Sequence, residues 1–123
     1  MTALAALLTT IAFAPAGVFG GSSGLAPNVS LTVKGGKVVA ASAWTNVFEC
    51  DLGGNIGPAS VSVRPNARIS SKGHVSFSSG KRTRRLGANL TLRKGKFVGR
   101  IRVSGVIGGA CSSPLIPVTL SRR

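Results

Sequence analysis

The stretch NVFECDLGGN, residues 46–55, holds the only two acidic residues of the chain, Glu49 and Asp51, on either side of Cys50. In an extended strand the two carboxylates share one face and lie about 7 Å apart. A Ca²⁺ ion needs six or more oxygen ligands, which the neighbouring residues do not supply. We therefore predict no metal site. Because the chain carries 16 Lys and Arg, we expect both carboxylates to pair with arginine.

Nucleophilic catalysis needs a base beside a thiol or hydroxyl, and the chain has one histidine, His74. A Cys–His pair requires a free thiolate, which a disulfide would remove. A serine triad lacks the G-x-S-x-G signature. The sequence SGKRT, residues 79–83, lacks the first glycine of a phosphate-binding loop and has Arg82 where that loop has Ser or Thr. We predict no enzyme, no catalytic residue and no cofactor.

The basic residues are the main chemical feature of the chain, whose net charge is +14. Such a charge attracts polyanions at long range and says nothing about the fold. The densest cluster is KRTRR, residues 81–85, which we expect on a loop. Arginine offers fork-shaped donors to phosphate and sulfate oxygens. The predicted polyanion-binding residues are Lys81, Arg82, Arg84, Arg85, Arg93, Lys96, Arg100 and Arg102.

The predicted partner is an anionic polymer, namely teichoic acid, a polysaccharide, or nucleic acid bound without sequence preference. Base stacking needs exposed aromatic side chains among the basic ones, but Phe77 and Phe97 fall at inward positions, so sequence-specific readout is not expected. Trp44 is a candidate for an exposed contact, although we expect it in the core. We expect a monomer.

Two other function classes stay open. A structural cell-surface module could carry the same charge incidentally, because a basic composition also keeps an exported domain in solution. An exported hydrolase is the third class, and the chain lacks the catalytic motifs considered above.

Apolar residues alternate with period two in several segments, including NVSLTVK, ASVSVR and HVSFS. Gly35–Gly36 supplies a two-residue hairpin turn after the first of them. No window shows sustained helical spacing, and Gly, Ser and Pro punctuate the chain at short intervals. The pattern predicts an all-β fold, a small antiparallel β-sandwich that is immunoglobulin-like in general shape, with a small closed barrel as the alternative.

The clearest unit is the hairpin LGANLTLRKGKFVGRIRVSG, residues 86–105, which turns at Lys94–Gly95. Its other face carries the basic residues of 93–102, so that alternation alone generates a basic stripe. In the last strand, PLIPVTLSRR, the two prolines predict an edge position. The core-side partners predicted for the hairpin are Leu86–Val103, Ala88–Ile101, Leu90–Gly99 and Leu92–Phe97. The inward residues predicted for the last strand are Ile116, Val118 and Leu120.

The apolar N-terminal segment reaches small residues at Ala14–Pro15–Ala16, which predicts a signal peptide over residues 1–16. Cleavage after Gly20 is the alternative. Residues 17–27 are predicted to be a flexible lead and residues 28–123 the sandwich domain. In an oxidising compartment Cys50 and Cys111 are expected to pair, which would stabilise the fold by about 4 kcal/mol. The predicted location is secreted or cell-surface.

The signal segment, the sequence FEC at 48–50, the sequence GKFVGRIRVSG at 95–105 and the late Cys111 together resemble small secreted β-sandwich proteins of actinobacteria, for which no function is established. The likeness covers about residues 44–123. It implies a β-sandwich and export, and it assigns no functional residue. An immunoglobulin domain fits less well, because its core Trp lies between the two cysteines, whereas Trp44 precedes Cys50.

Overall fold

The computed structural model describes residues 15–51, 57–107 and 109–123. In these ranges the chain forms eleven β-strands and no helix, so none that could cross a membrane. Residues 1–14 of the predicted signal segment lie outside the described residues. The strands are β1 (Gly17–Gly21), β2 (Asn28–Lys34), β3 (Lys37–Thr45), β4 (Glu49–Cys50), β5 (Ala59–Val63), β6 (Ala67–Arg68), β7 (His74–Lys81), β8 (Arg84–Arg93), β9 (Lys96–Val106), β10 (Ala110–Ser112) and β11 (Ile116–Arg122).

Two short turns set the register of the longest hairpins. Gly35 and Gly36 join β2 to β3 with φ of 60° and 74°, and Lys94 and Gly95 join β8 to β9 with φ of 51° and 78°. Positive φ at both central positions gives the turn whose twist matches that of the flanking strands. The β8–β9 ladder confirms all four predicted core-side pairs, Leu86–Val103, Ala88–Ile101, Leu90–Gly99 and Leu92–Phe97.

The strands form the predicted antiparallel β-sandwich. We call β4, β7, β8, β9, β10 and β11 the front layer, in which β9 is the strand paired with β8, β10 and β11. We call β1, β2, β3, β5 and β6 the back layer. Strand β1 pairs with β11 of the front layer and with β2 of the back layer, so backbone hydrogen bonding continues from one layer to the other. Within the described ranges β5 and β7 do not pair with each other, so the sheet is open along that seam.

Alternate residues of both layers point inward and form one apolar core. Phe19 of β1 and Phe97 of β9 meet edge to face, with ring centroids 4.9 Å apart. Full burial of one such side chain stabilises the fold by about 1.5–3 kcal/mol. The predicted inward residues of β11, Ile116, Val118 and Leu120, are all buried. Each inward position fixes its two neighbours on the strand as outward positions.

The structure corrects the prediction of a flexible lead over residues 17–27. Residues Gly17–Gly21 form β1, and Ala26 in the following segment is buried. The glycines led to the wrong interpretation, because glycine lowers strand propensity. Gly21 instead marks a close approach of two backbones, since a Cβ there would collide with the Thr119 carbonyl oxygen.

The prediction that the last strand is an edge strand is also wrong. Strand β11 pairs with β9 through residues 116–120 and with β1 through Ser121 and Arg122. Pro117 lies opposite Arg100 of β9, beyond the end of the β1 ladder. Because β1 leaves that side of β11 unpaired, the missing proline N–H removes no bond to β1.

Candidate anion-binding face

The outer face of the front layer carries basic side chains along β9. Lys96, Arg100 and Arg102 are exposed, and the buried residues Phe97 and Ile101 alternate with them. Residues two apart in a strand lie about 7 Å from each other on the same face. The three basic side chains therefore share one face, as the alternation predicts.

Arg85 of β8 adds to this face and is held in place by hydrogen bonds to β7. Its Nη1 donates to the Gly80 carbonyl oxygen and its Nη2 to the Ser78 carbonyl oxygen, each at 2.9 Å. Arg85 lies opposite Ser104 in the ladder and is therefore a diagonal neighbour of Arg102, at about 7–8 Å. These hydrogen bonds to β7 fix the Arg85 guanidinium, and its positive charge remains on the outer face of the front layer.

The basic residues of this face fall into two groups. Arg93 and Lys96 lie opposite each other at the turn of the β8–β9 hairpin, and we call them the tip pair. The uncharged cross-strand pair Thr91 and Val98 separates the tip pair from Arg100. The other group, toward the opposite end of β9, consists of Arg82, Arg85, Arg100 and Arg102, and we call it the arginine group.

Arg82 lies in the turn between β7 and β8, which is anchored to β9. The Arg82 carbonyl oxygen accepts a hydrogen bond from the Val106 N–H at 3.0 Å. Next to Val106, Gly105 has no room for a side chain, because a Cβ would collide with the Thr83 carbonyl oxygen. The expectation that the whole KRTRR segment is a loop is therefore wrong, because Lys81 ends β7, Arg84 begins β8, and only Arg82 and Thr83 form the turn.

Lys81 and Arg84 belong to a different surface from the rest of the predicted set. The Arg84 guanidinium lies 5.0 Å from the centroid of the Phe48 ring, and its Nη1 donates to the Ser60 carbonyl oxygen at 3.2 Å. This cation–π contact covers a core ring at the open seam between the layers. Lys81 pairs with Arg84 in the ladder, and both line a cleft of about 360 Å³ with Arg64. The eight predicted residues thus divide between two surfaces.

A depression of about 610 Å³ lies beside β10 on the front layer. Ser104 and Ser112 are direct cross-strand partners on β9 and β10, so their hydroxyls are neighbours on its surface. Neither serine is among the site residues predicted from the sequence, although Ser104 continues the period-two series of basic residues on β9. The polar and charged residues that line the depression are Asp51, Arg82, Arg85, Arg102, Ser104 and Ser112.

The predicted ion pairs of the two acidic residues are not formed. Glu49 and Asp51 are both exposed, and neither has an ion-pair partner among the described residues. Glu49 lies opposite Ser112 of β10, and the Asp51 N–H donates to the Ala110 carbonyl oxygen at 2.9 Å. Both carboxylates therefore belong to the edge formed by β4, while the arginines of this face lie on β8, β9 and the β7–β8 turn.

The predicted disulfide between Cys50 and Cys111 is confirmed. It joins directly opposed residues of β4 and β10, whose Cα atoms are 3.9 Å apart. Such a bond is consistent with an oxidising, extracytoplasmic compartment. Because Asp51 follows Cys50, the disulfide also holds Asp51 at the depression.

His74 lies away from this depression, on β7. Its side chain is exposed, and its Nε2 lies 2.7 Å from the Asn89 Oδ1. Across residues 15–51, 57–107 and 109–123, no three His, Cys, Asp or Glu side chains are grouped in a way that could hold a metal ion.

Trp44, expected in the core, is 40% exposed on the outer face of the back layer. Its neighbours Ala43 and Thr45 take the inward positions of β3. The Thr45 hydroxyl is satisfied there, because it donates to the Leu25 carbonyl oxygen at 3.0 Å. Strand parity, set by these neighbours, therefore places the indole outside.

Comparison of the chain with protein-family models, with curated proteins and with solved structures finds no match.

Proposed function

We propose that the protein is an exported, non-enzymatic binding module that holds an anionic polymer of the cell envelope or extracellular matrix by electrostatic attraction. The observation that carries the proposal is that Arg85, Arg100 and Arg102 share one exposed sheet face, together with the tip pair. No basic side chain of the described ranges is neutralised by an ion pair. The face is therefore a concentrated positive surface.

The spacing of these charges suits a polymer. Two like charges about 7 Å apart repel by about 0.6 kcal/mol in water, and a chain of anions laid along β9 would replace that repulsion by attraction. Each polymer charge neutralised releases condensed counterions and adds about 0.7–0.9 to the slope of log affinity against log salt. Binding through this face should therefore weaken steeply as salt rises.

The part of the proposal that concerns export is supported by the disulfide and by strand β1. Cleavage after Ala16 would leave β1 complete, with Phe19 in the core. Cleavage after Gly20 would remove Phe19, which is 1% exposed and packs against Phe97. Strand β1 thus supports the first of the two predicted cleavage positions.

The decisive experiment is a salt titration of the mature protein on immobilised teichoic acid, heparin and DNA, with uncharged dextran as the blank. We expect retention at low salt on the charged supports and a linear fall of log affinity with log salt. No retention at low salt, or retention that salt does not change, would exclude the proposal. The first of these results would leave a structural surface module with incidental charge.

A matched pair of double variants tests the location of the charge. Arg100→Gln with Arg102→Gln should lower affinity at 50 mM salt by on the order of 10²-fold and reduce the salt slope by about 1.4–1.8. Lys34→Gln with Arg68→Gln removes the same charge from exposed positions of the back layer and should cost much less. Equal losses in the two variants would show that only net charge matters.

A further inference from the structure

We infer that the depression beside β10 is a subsite for a phosphate or sulfate ester carried by a hydroxyl-bearing unit, a polyol or a sugar, of the polymer. The inference rests on the proposed function and deepens it, because the depression lies at one end of the basic face. Such a subsite would give the basic face, which attracts any polyanion, a preference for one chemical class of polymer.

Two of the guanidinium groups that line the depression have N–H donors available to a ligand. The Arg82 and Arg102 side chains make no hydrogen bond within the part of the chain that the structure describes. The Arg85 side chain is instead engaged with the Ser78 and Gly80 carbonyl oxygens. Arg82 and Arg102 can therefore fork onto the oxygens of a tetrahedral anion, and Arg85 contributes a fixed charge beside them.

The hydroxyls of Ser104 and Ser112 are also unengaged among the described residues. A serine hydroxyl both donates and accepts, so it can bond either an ester oxygen or a ligand hydroxyl. Because Ser104 and Ser112 are cross-strand partners, their Cβ atoms lie about 4.5–5.5 Å apart. Together with the arginines they offer more than one contact to a single ligand unit.

Asp51 gives the depression its selectivity. An ionised carboxylate only accepts hydrogen bonds, so it repels a bare anion but binds a hydroxyl group. Asp51 lines the depression without an ion-pair partner, and the disulfide next to it holds its backbone. A ligand that bonds both the arginines and Asp51 carries an anionic ester and a free hydroxyl close together. An internal phosphate of DNA lacks such a hydroxyl, and a polyol phosphate has one.

The preference can be measured with small esters that differ only in their hydroxyls. Glycerol 3-phosphate should bind the intact protein about twofold to tenfold more tightly than propyl phosphate, followed by NMR titration in low salt. Glucose 6-sulfate against cyclohexylmethyl sulfate, which has a ring of similar size without hydroxyls, is the second arm, and it distinguishes a sulfated sugar from a phosphorylated polyol as the source. Equal affinity with and without hydroxyls in both arms, or no binding in either, overturns the inference.

Single substitutions assign the effect to residues. Arg102→Gln should lower the affinity for glycerol 3-phosphate by about tenfold or more. Asp51→Ala should abolish the preference for the hydroxyl-bearing ester and should strengthen binding of propyl phosphate. Glu49→Ala removes the other carboxylate, which is also exposed but does not line the depression, and the preference should persist. A preference lost equally in both acidic variants contradicts the inference.

The two proposals can fail separately. If the polymer is retained with the expected salt dependence while the small esters do not bind, the subsite is wrong and the polymer-binding function stands. If the small esters bind with the expected preference while no polymer is retained, the function is wrong and the depression is a site for a small ligand. The thermal unfolding of each variant, followed by circular dichroism, establishes that it is folded.

Discussion

On the back layer, the central outward positions of β2, β3 and β5 hold a row of serines, Ser30, Ser42 and Ser62, which are direct cross-strand partners. The Ser30 and Ser42 hydroxyls lie 2.7 Å apart and bond each other. On the front layer, corresponding positions of β8 and β9 hold Asn89 opposite Arg100. Both faces cover the same core with the same strand geometry, but basic residues run along the front face, whereas those of the back layer gather at one end.

This difference bears on whether the charge is incidental. Burial constrains the inward residues of a strand and leaves the outward ones free, so neither layer needs arginine on its surface in order to fold. The back layer also carries basic residues: Lys34, Lys37 and Arg68 are cross-strand partners at one end, and Arg64 lines a cleft with the row of serines. What the front face adds is the depression in which arginines meet Asp51 and a pair of serines. That combination, and not the charge alone, favours a role for the front face.

The layers also differ in covalent support, because the disulfide belongs to the front layer alone. Its loop spans 61 residues of sequence, so replacing both cysteines by serine should lower the free energy of unfolding by about 4 kcal/mol on the chain-entropy model. Urea unfolding measures this loss, and the reduced wild-type protein is the matched control. An unchanged urea midpoint would contradict the expectation.

Hydrogen exchange on the same double variant sharpens the comparison of the layers. Amides of β4 and β10 should lose protection before those of β2 and β3, because β4 is a two-residue strand held chiefly by Cys50. If all strands lose protection together, the disulfide supports the whole sandwich and not the front layer in particular.

The sequence predicts strand pairing and side-chain direction well where a local turn fixes the phase of a strand, that is, which of its residues point inward. Lys94–Gly95 fixes a two-residue turn, and every pair of the β8–β9 hairpin follows from it. The phase of a strand then decides which residues are buried and which are exposed. The position of Arg100 and Arg102 on one outer face could therefore be predicted without any long-range information.

The KRTRR segment shows where that reasoning ends. Five consecutive polar residues contain no apolar alternation, so nothing in the sequence fixes where the chain turns. The turn falls at Arg82–Thr83, which puts Arg84 on the side of the seam and Arg85 on the outer face. The depression was equally out of reach, because it depends on the pairing of β4 with β10, far apart in sequence. Asp51 acquires its surroundings only through that pairing.

A transfer of charge from the front layer to the back layer tests whether polymer binding depends on where the charge lies. In the Arg100→Gln, Arg102→Gln background, Ser60→Lys and Ser62→Lys would place two cations at exposed outward positions of β5. We expect polymer affinity at 50 mM salt to recover by less than about threefold, because cations on the back layer do not contact a polymer that lies on the front layer and so release none of its counterions. Salt titration on immobilised teichoic acid measures it.

The lysine variant should still bind glycerol 3-phosphate weakly, because the added lysines do not replace the Arg102 guanidinium that lines the depression. Ser60→Asn with Ser62→Asn in the same background is the uncharged control. A recovery of about tenfold in the lysine variant would mean that net charge, and not its placement on the front face, governs polymer binding.

The smallest effect is expected at Trp44, the only tryptophan of the chain and an exposed residue of the back layer. If the polymer lies on the front layer, saturating it with heparin should leave the quenching of Trp44 fluorescence by acrylamide unchanged. Trp44→Ala should change polymer affinity by less than about twofold, within the range of about 0.5 kcal/mol typical of surface positions that take no part. Strong protection of Trp44 from acrylamide would instead place the polymer on the serine-rich face. The indole would then supply a stacking surface, and the basic face would act mainly in long-range attraction.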